Sequence, residues 1–298
     1  MKKTDRFIGV IPPVVTPFKQ NGELDLELFK KEVRRIVDCG VHGISVGGST
    51  GEGAFLTDEE LGVMIGATKD IAPGLPLVAG VIRPSTNLAL RTSMTAKAAG
   101  ADALMVTPTY YNILVPDDEG NRLFYKAISD EAGLPIVIYN VVPQNDIGVE
   151  CFAKLLDIEH VMGIKQSLGG IMACYDMVHA NGGRGMIYSA TDEMMFSTFE
   201  LGADGAISAI LALFPRLCME MWNLAKAGGK TAEGLVIQNR LFPLWKALRG
   251  PQFPARMKAI MREAGHNVGL PRSPLHDVDE ATKATMRKFI ESVGKDAF

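Results

Sequence analysis

The chain is short of several things, and each shortage closes a class of function. Only four of its 298 residues are cysteine: Cys39, Cys151, Cys174 and Cys218. They are widely spaced, with no Cys-x-x-Cys and no histidine at ligand spacing, which argues against a zinc site and for thiols in a reducing cytosol. Charge of one sign is also missing: a net charge of −3 gives no electrostatic footprint for nucleic acid or an anionic membrane as partner. No apolar run approaches the roughly 18 residues of a membrane span. The N-terminus, Met1-Lys2-Lys3-Thr4-Asp5-Arg6, is charged, but the apolar stretch behind it is short and holds Pro12 and Pro13, unlike a secretory signal. What is left is the composition of a soluble globular protein, 47% apolar and 22% charged. The expected partner is a small molecule and the expected place the cytoplasm.

What the chain has is alternation. Short runs rich in Val, Ile and Leu take turns with longer segments of helical period, the pattern of βα units around a parallel sheet. Strands are expected over residues 7–15, 44–46, 77–79, 104–106, 136–140, up to Lys165, 186–188 and 206–208, which makes eight. Helices are expected from Leu26, from the capping box Thr57-Asp58-Glu59-Glu60, over 84–99, 149–156 and 194–201. A long loop, residues 107–120, follows the fourth strand, and long loops in compact domains are often functional. Gly40, Gly100 and Gly202 each stand past a helix end and just before a strand, where positive φ is needed. From Gly40 to Gly100 is 60 residues, two units, and from Gly100 to Gly202 is 102, four units. After Ile210 the strands stop, and helices are expected over 214–227, 232–248, 254–264 and 280–293. The reading is an α/β fold, a (β/α)8 TIM barrel over residues 1–225 with a C-terminal helical extension, 226–298, packed on it. A doubly wound open sheet is the alternative.

In such barrels the site lies at the C-terminal ends of the strands. Lys165 closes the apolar run Gly163-Ile164-Lys165, Tyr139 closes Ile136-Val137-Ile138-Tyr139, and Ser49, Thr50, Tyr110 and Tyr111 follow other strands. A lysine there could simply pair with a carboxylate. In a largely apolar barrel mouth, however, the ammonium form is disfavoured and an unprotonated amine can attack a ketone. The resulting imine is an electron sink that lets a 2-oxo acid lose a proton or break an adjacent bond. A neutral phenol such as Tyr139 can shuttle the protons. The turn Gly48-Ser49-Thr50-Gly51 offers backbone N–H groups and two hydroxyls to a carboxylate; it holds no Gly-Lys-Ser/Thr and is too small for a Walker loop.

Taken together, Gly48-Ser49-Thr50-Gly51-Glu52, Val106-Thr107-Pro108 with Tyr110-Tyr111-Asn112, Tyr139-Asn140 with Pro143, and Gly163-Ile164-Lys165 resemble the dihydrodipicolinate synthase and N-acetylneuraminate lyase family of Schiff-base barrels. The resemblance runs from Gly9 to the final helices. It implies that Lys165 forms the imine with pyruvate or another 2-oxo acid, that Tyr139 relays protons, and that Gly48, Ser49 and Thr50 hold the carboxylate. It also implies a backbone contact from Ile207 to the pyruvyl group and no metal or organic cofactor. A homotetramer built from tight dimers is implied as well, with Tyr110 or Tyr111 reaching into a neighbouring site; the inserted Thr109 leaves open which. One departure stands out. The synthases carry an arginine about five residues after Tyr139-Asn140 that grips the second substrate's carboxylate, and Asn145 stands there instead. Asparagine offers neither the charge nor the fork of a guanidinium, so Asn145 and Gln144 suit a polyhydroxylated or neutral tail. The expected activity is therefore a lyase, an aldolase acting on pyruvate and a 2-keto-3-deoxy sugar acid or related compound. Alternatives are 4-hydroxy-tetrahydrodipicolinate synthesis, dehydration or deamination on the same fold, a metal-dependent aldolase, and a binding protein without turnover.

Overall fold

In the computed structural model residues 4–298 are described, so Met1-Lys2-Lys3 of the charged N-terminus lie outside the described residues. Eight parallel strands follow one another: β1 (Gly9–Val10), β2 (Ile44–Val46), β3 (Leu77–Val81), β4 (Ala103–Val106), β5 (Ile136–Asn140), β6 (Val161–Gln166), β7 (Met186–Ser189) and β8 (Gly205–Ala206). Each pairs with its neighbour in sequence from β2 to β8, and β8 pairs with β1. A parallel bridge from Pro13 to Ser45 joins the two ends, so the sheet curls round on itself as a (β/α)8 barrel and not as an open doubly wound sheet.

Between the strands run α1 (Leu26–Val37), α2 (Asp58–Ile71), α3 (Thr86–Ala98), α4 (Asp118–Ala132), α5 (Val149–Leu155), α6 (Gly170–Asn181) and α7 (Met195–Glu200). The short α8 (Ala209–Leu213) follows β8, and α9 (Pro215–Ala227), α10 (Thr231–Leu248), α11 (Phe253–Glu263) and α12 (Glu280–Val293) complete the chain. Among the described residues no helix is long and apolar enough to cross a membrane.

Strand periodicity sorts the core into layers. Along β5, Ile136 and Ile138 face outward into a cluster shared with Phe29, Leu61 and Phe124 of the surrounding helices. Val137 and Tyr139 face inward, with Val78, Met105, Met186, Tyr188 and Ile207, and fill the barrel. A third cluster joins Val10, Val15 and Ala206 to residues of α9 through α12, including Leu244, Met257 and Ile290.

Local chemistry accounts for most boundaries. Thr57 and Glu60 form the expected reciprocal capping box at the start of α2. Gly40, Gly100 and Gly202 have φ of +72°, +98° and +100°, the left-handed conformation that the sequence pattern requires. The first strand departs from the reading of residues 7–15. Pro12 and Pro13 have no N–H to give to a ladder, so β1 holds only two residues; Phe7 ends a 3-10 turn, Asp5–Phe7, and Pro13 makes an isolated bridge. The loop after β4 is also shorter than 107–120, because Asp117 caps α4 by accepting from the Gly120 N–H at 2.8 Å.

Candidate active site

Tyr139 and Lys165 occupy equivalent places, each the last residue but one of its strand, and the register of β5 on β6 sets them side by side. Cross-strand partners in a parallel pair point to the same face, so both side chains enter the barrel mouth. Lys165 is only 5% exposed. Its Nζ lies 3.7 Å from the centroid of the Tyr139 ring, a cation–π approach.

The strand ends that carry them are pinned from outside the barrel. Asn140 Nδ2 donates to Gln166 Oε1 at 2.9 Å, to Asp146 Oδ1 at 2.8 Å and to the Ile147 carbonyl at 3.1 Å. Its Oδ1 accepts from the Ile147 N–H at 3.0 Å.

The Tyr139 hydroxyl donates to Ser49 Oγ at 3.1 Å, which links the β5 end to the glycine-rich turn after β2. Ser49 and Thr50 open a one-turn 3-10 helix, Ser49–Gly51, whose first N–H groups find no acceptor inside such a turn. Small residues are needed here. A side chain on Gly53 would sit 1.7 Å from the Gly47 carbonyl oxygen, and one on Gly51 would sit 2.7 Å from that of Val14.

These groups line a cavity of about 210 Å³ together with Val141, Ser167, Ala190, Asp192, Ser208, Trp245 and Phe253. Asp192 lies past the strand end and so outside the residues expected from the sequence. It stands in Ala190-Thr191-Asp192, directly after β7. Its carboxylate accepts from Ser208 Oγ at 2.5 Å and from the Ile210 N–H at 2.8 Å. Burial raises its pKa to about 6, against the pull of those donors and of the Lys165 charge. Trp245 and Phe253, in edge contact with centroids 5.8 Å apart, come from α10 and α11. No strand-end rule could find them.

Five residues singled out from the sequence are not among those lining the cavity. Asn145 does not line the cavity: its Nδ2 donates to the Thr109 carbonyl at 3.0 Å, and it exchanges amide hydrogen bonds with Asn121 at 2.7 and 3.1 Å. Tyr110 is half-buried against the inner cluster, beside Ile82 and Arg83. Tyr111 is 58% exposed. Ile207 is buried in the barrel, its N–H bonded to the Ser189 carbonyl. Gly48 precedes the turn, within reach of Met105.

Chemically, the cavity presents one amine, one phenol, one carboxylate and the hydroxyls of Ser49, Thr50, Ser167 and Ser208. Two of the chain's thiols are poor rivals as nucleophile, since burial holds Cys174 at about 11 and Cys151 at about 12. Among the described residues no three His, Cys, Asp or Glu are grouped to hold a metal ion.

Comparison with known proteins gives the same direction throughout. A model of the dihydrodipicolinate synthetase family matches residues 6–293. The 4-hydroxy-tetrahydrodipicolinate synthase of Methylobacterium radiotolerans is 34% identical over 292 residues, covering 97% of this chain and 96% of that protein. The dihydrodipicolinate synthase of Thermotoga maritima superposes with a TM-score of 0.91 at 31% identity, covering 97% of this chain and 99% of the other. That of Acinetobacter baumannii, solved in complex with pyruvate, superposes with a TM-score of 0.90 at 28% identity, covering 98% and 99%. With the family's match spanning nearly its whole length, the chain belongs to the dihydrodipicolinate synthetase family of class I aldolases and is a lyase on that family's barrel.

Proposed function

We propose that the protein is a Schiff-base aldolase that cleaves or forms a bond between pyruvate and an aldehyde, with a 2-keto-3-deoxy sugar acid or a related compound as the whole substrate. The observation that carries this reading is the placement of Lys165 Nζ against the Tyr139 ring, at a cavity reached by the Tyr139–Ser49 hydrogen bond. The amine attacks the keto carbon, water leaves through the carbinolamine, and a protonated imine results. A base takes the proton of the C4 hydroxyl and the C3–C4 bond breaks to release the aldehyde; its electron pair forms the enamine C2=C3 bond while the C=N pair returns to the positive nitrogen. Protonation of the enamine and hydrolysis then release pyruvate and the free lysine. Tyr139 is suited to pass the protons, with Ser49 as the next station. Ser49, Thr50 and the backbone from Gly48 would hold the carboxylate, and the Ile207 backbone would flank the pyruvyl group. The chemistry needs no metal or organic cofactor.

For the aldehyde half, Asp192, Ser167 and Ser208 are the polar groups of the cavity, and they match hydroxyls better than a second carboxylate. Asn145, committed to Asn121 and Thr109, offers no clamp for an anion. This favours a hydroxylated tail over the second substrate of a synthase. The name shared by the 34% identical relative nonetheless keeps 4-hydroxy-tetrahydrodipicolinate synthesis as the second reading, and consumption of aspartate semialdehyde with pyruvate would establish it. Residues 111–114 carry Tyr111, Ile113 and Leu114 at 58%, 78% and 69% exposure. We assign them to contact with a second copy in a homotetramer of the cytoplasm, which light scattering would test.

Borohydride added with pyruvate is expected to leave the mass of one reduced pyruvyl adduct on Lys165. Lys165→Ala should take up none and release no pyruvate from 2-keto-3-deoxy acids. An unlabelled Lys165 in the unaltered protein, or turnover by the alanine variant, would falsify the assignment.

A further inference from the structure

Glu52 follows the Ser49–Gly51 turn and does not belong where it is by conformation alone. Its φ of 56° and ψ of 35° are left-handed, a state that costs a residue with a Cβ and is rarely kept without reason. Both carboxylate oxygens are engaged. One accepts from Lys258 Nζ of α11, 206 residues away, and the other from the Arg272 N–H at 2.9 Å. The pair is sealed from solvent, with side-chain exposures of 0% for Lys258 and 1% for Glu52. Lys258 has a second acceptor in the Leu270 carbonyl at 2.8 Å and lies 4.6 Å from the Phe18 ring centroid. The Glu52 N–H meanwhile closes the turn by donating to the Ser49 carbonyl at 3.0 Å. Its backbone shapes the turn while its carboxylate is tied to the C-terminal helices.

We propose that Lys258 is a positioning residue for the reaction: acting through Glu52, it fixes the Ser49–Thr50 turn in the form that binds the carboxylate of the 2-oxo acid. The inference rests on the Schiff-base reading above. Remove the ion pair and Glu52 keeps only its backbone bonds and the Arg272 N–H to hold the left-handed state, so Ser49 and Thr50 lose their fixed place. Lys165 is held on β6 apart from the turn, and Tyr139 on β5 shares only its hydroxyl with Ser49. The loss therefore falls first on substrate binding, ahead of the bond-making steps. Glu52 keeps the buried ammonium charged: burial pulls Lys258 down to about 8, Glu52 opposes that pull, and Arg262 and Arg272 add to it.

The test measures the pyruvate concentration that half-saturates borohydride trapping on Lys165. Because K258M alone strands a buried carboxylate, the double variant E52Q/K258M is the one to use. I260V serves as control: it removes a buried methyl group from the same helix without touching the pair. For E52Q/K258M the half-saturating concentration should rise about tenfold, with full labelling still reached at high pyruvate, as expected when binding and not chemistry is lost. I260V should stay within about twofold of the unaltered protein. The inference is overturned if the double variant folds and stays within about twofold too, or if I260V shifts as much. Failure to label the unaltered protein would refute the Schiff-base reading itself.

Discussion

Tyr139 performs two physical tasks that a single substitution can separate. Its ring faces Lys165 Nζ and its hydroxyl donates to Ser49. Tyr139→Phe keeps the ring and deletes the proton path, so kcat should fall roughly 10²- to 10⁴-fold while stability changes by about 1 kcal/mol. Steady-state rates set beside a melting curve would check both, and an unchanged rate would remove Tyr139 from the proton relay. Asp192 carries a different signature. Burial raises it from 3.8 to about 6, so between those values the folded protein holds a proton that the unfolded chain has lost. Stability from this group therefore falls as pH rises through that window, and the cost is complete above pH 6. Its size is on the order of 3 kcal/mol. In urea unfolding, Asp192→Asn should gain on the unaltered protein by that order between pH 4 and pH 7; parallel pH dependences would contradict the burial argument. Lys165 and Tyr139 were legible in the sequence because each ends an apolar strand in a polar atom. Asp192 comes three residues after its strand, at the start of the 3-10 turn Asp192–Met194, and its hydrogen-bond donors are Ser208 and Ile210 from the next unit.

At the level of elements, the barrel's outer face holds β5 and β6 in register. Asn140 spends its whole amide on Gln166, Asp146 and Ile147, and this is why Tyr139-Asn140 and Lys165-Gln166 read as pairs. Asn140→Ala leaves the Gln166 amide oxygen and the Ile147 N–H without that partner in a closed interior. A destabilisation of about 2–4 kcal/mol is expected, measurable in denaturant, and Asn140→Asp should be no milder, because it sets a carboxylate oxygen against the Asp146, Gln166 and Ile147 oxygens. If Asn140→Ala proves neutral, the pin is not what keeps β5 and β6 aligned. The eight strands and most helices could be read from periodicity, though α4 and α6 are not among those expected, and the glycine and capping signals set many ends. The edges that failed have local causes: Pro12 and Pro13 interrupt the first strand, and Asp117 starts α4 inside the expected loop. Asn145 illustrates a harder limit. The family resemblance directs attention to it as a pocket residue, but the partner that draws its amide aside, Asn121, lies on another element and leaves no trace in the local pattern.

Over the whole molecule, the C-terminal helices supply the cavity with Trp245 and Phe253 and tie the glycine turn through Lys258. Helical period in the sequence marks these segments as packed helices, and it says nothing of what their inner faces touch. Residues 226–298 read there as an extension laid on a barrel, which raises the question of whether they fold with it. The third apolar cluster runs without interruption from Val10, Val15 and Ala206 through Phe214 and Cys218 to Leu244, Met257, Met286 and Ile290, so no seam separates the two parts near residue 226. Shared burial of that kind makes for one cooperative unit. The chain's two tryptophans are placed to decide the matter. Trp222 on α9 packs edge-on against Phe199, centroids 5.0 Å apart, on the barrel side, while Trp245 on α10 lines the cavity. With W245F the fluorescence of Trp222 reports the barrel, and with W222F that of Trp245 reports the extension. Each substitution lowers stability by its own amount, so the comparison is made within each variant, fluorescence against far-ultraviolet circular dichroism. In both, the two signals should trace one urea transition with the same midpoint. If Trp245 is released at lower urea than the bulk helix signal in W222F, the extension unfolds on its own, and the mouth of the site can open while the barrel stays intact.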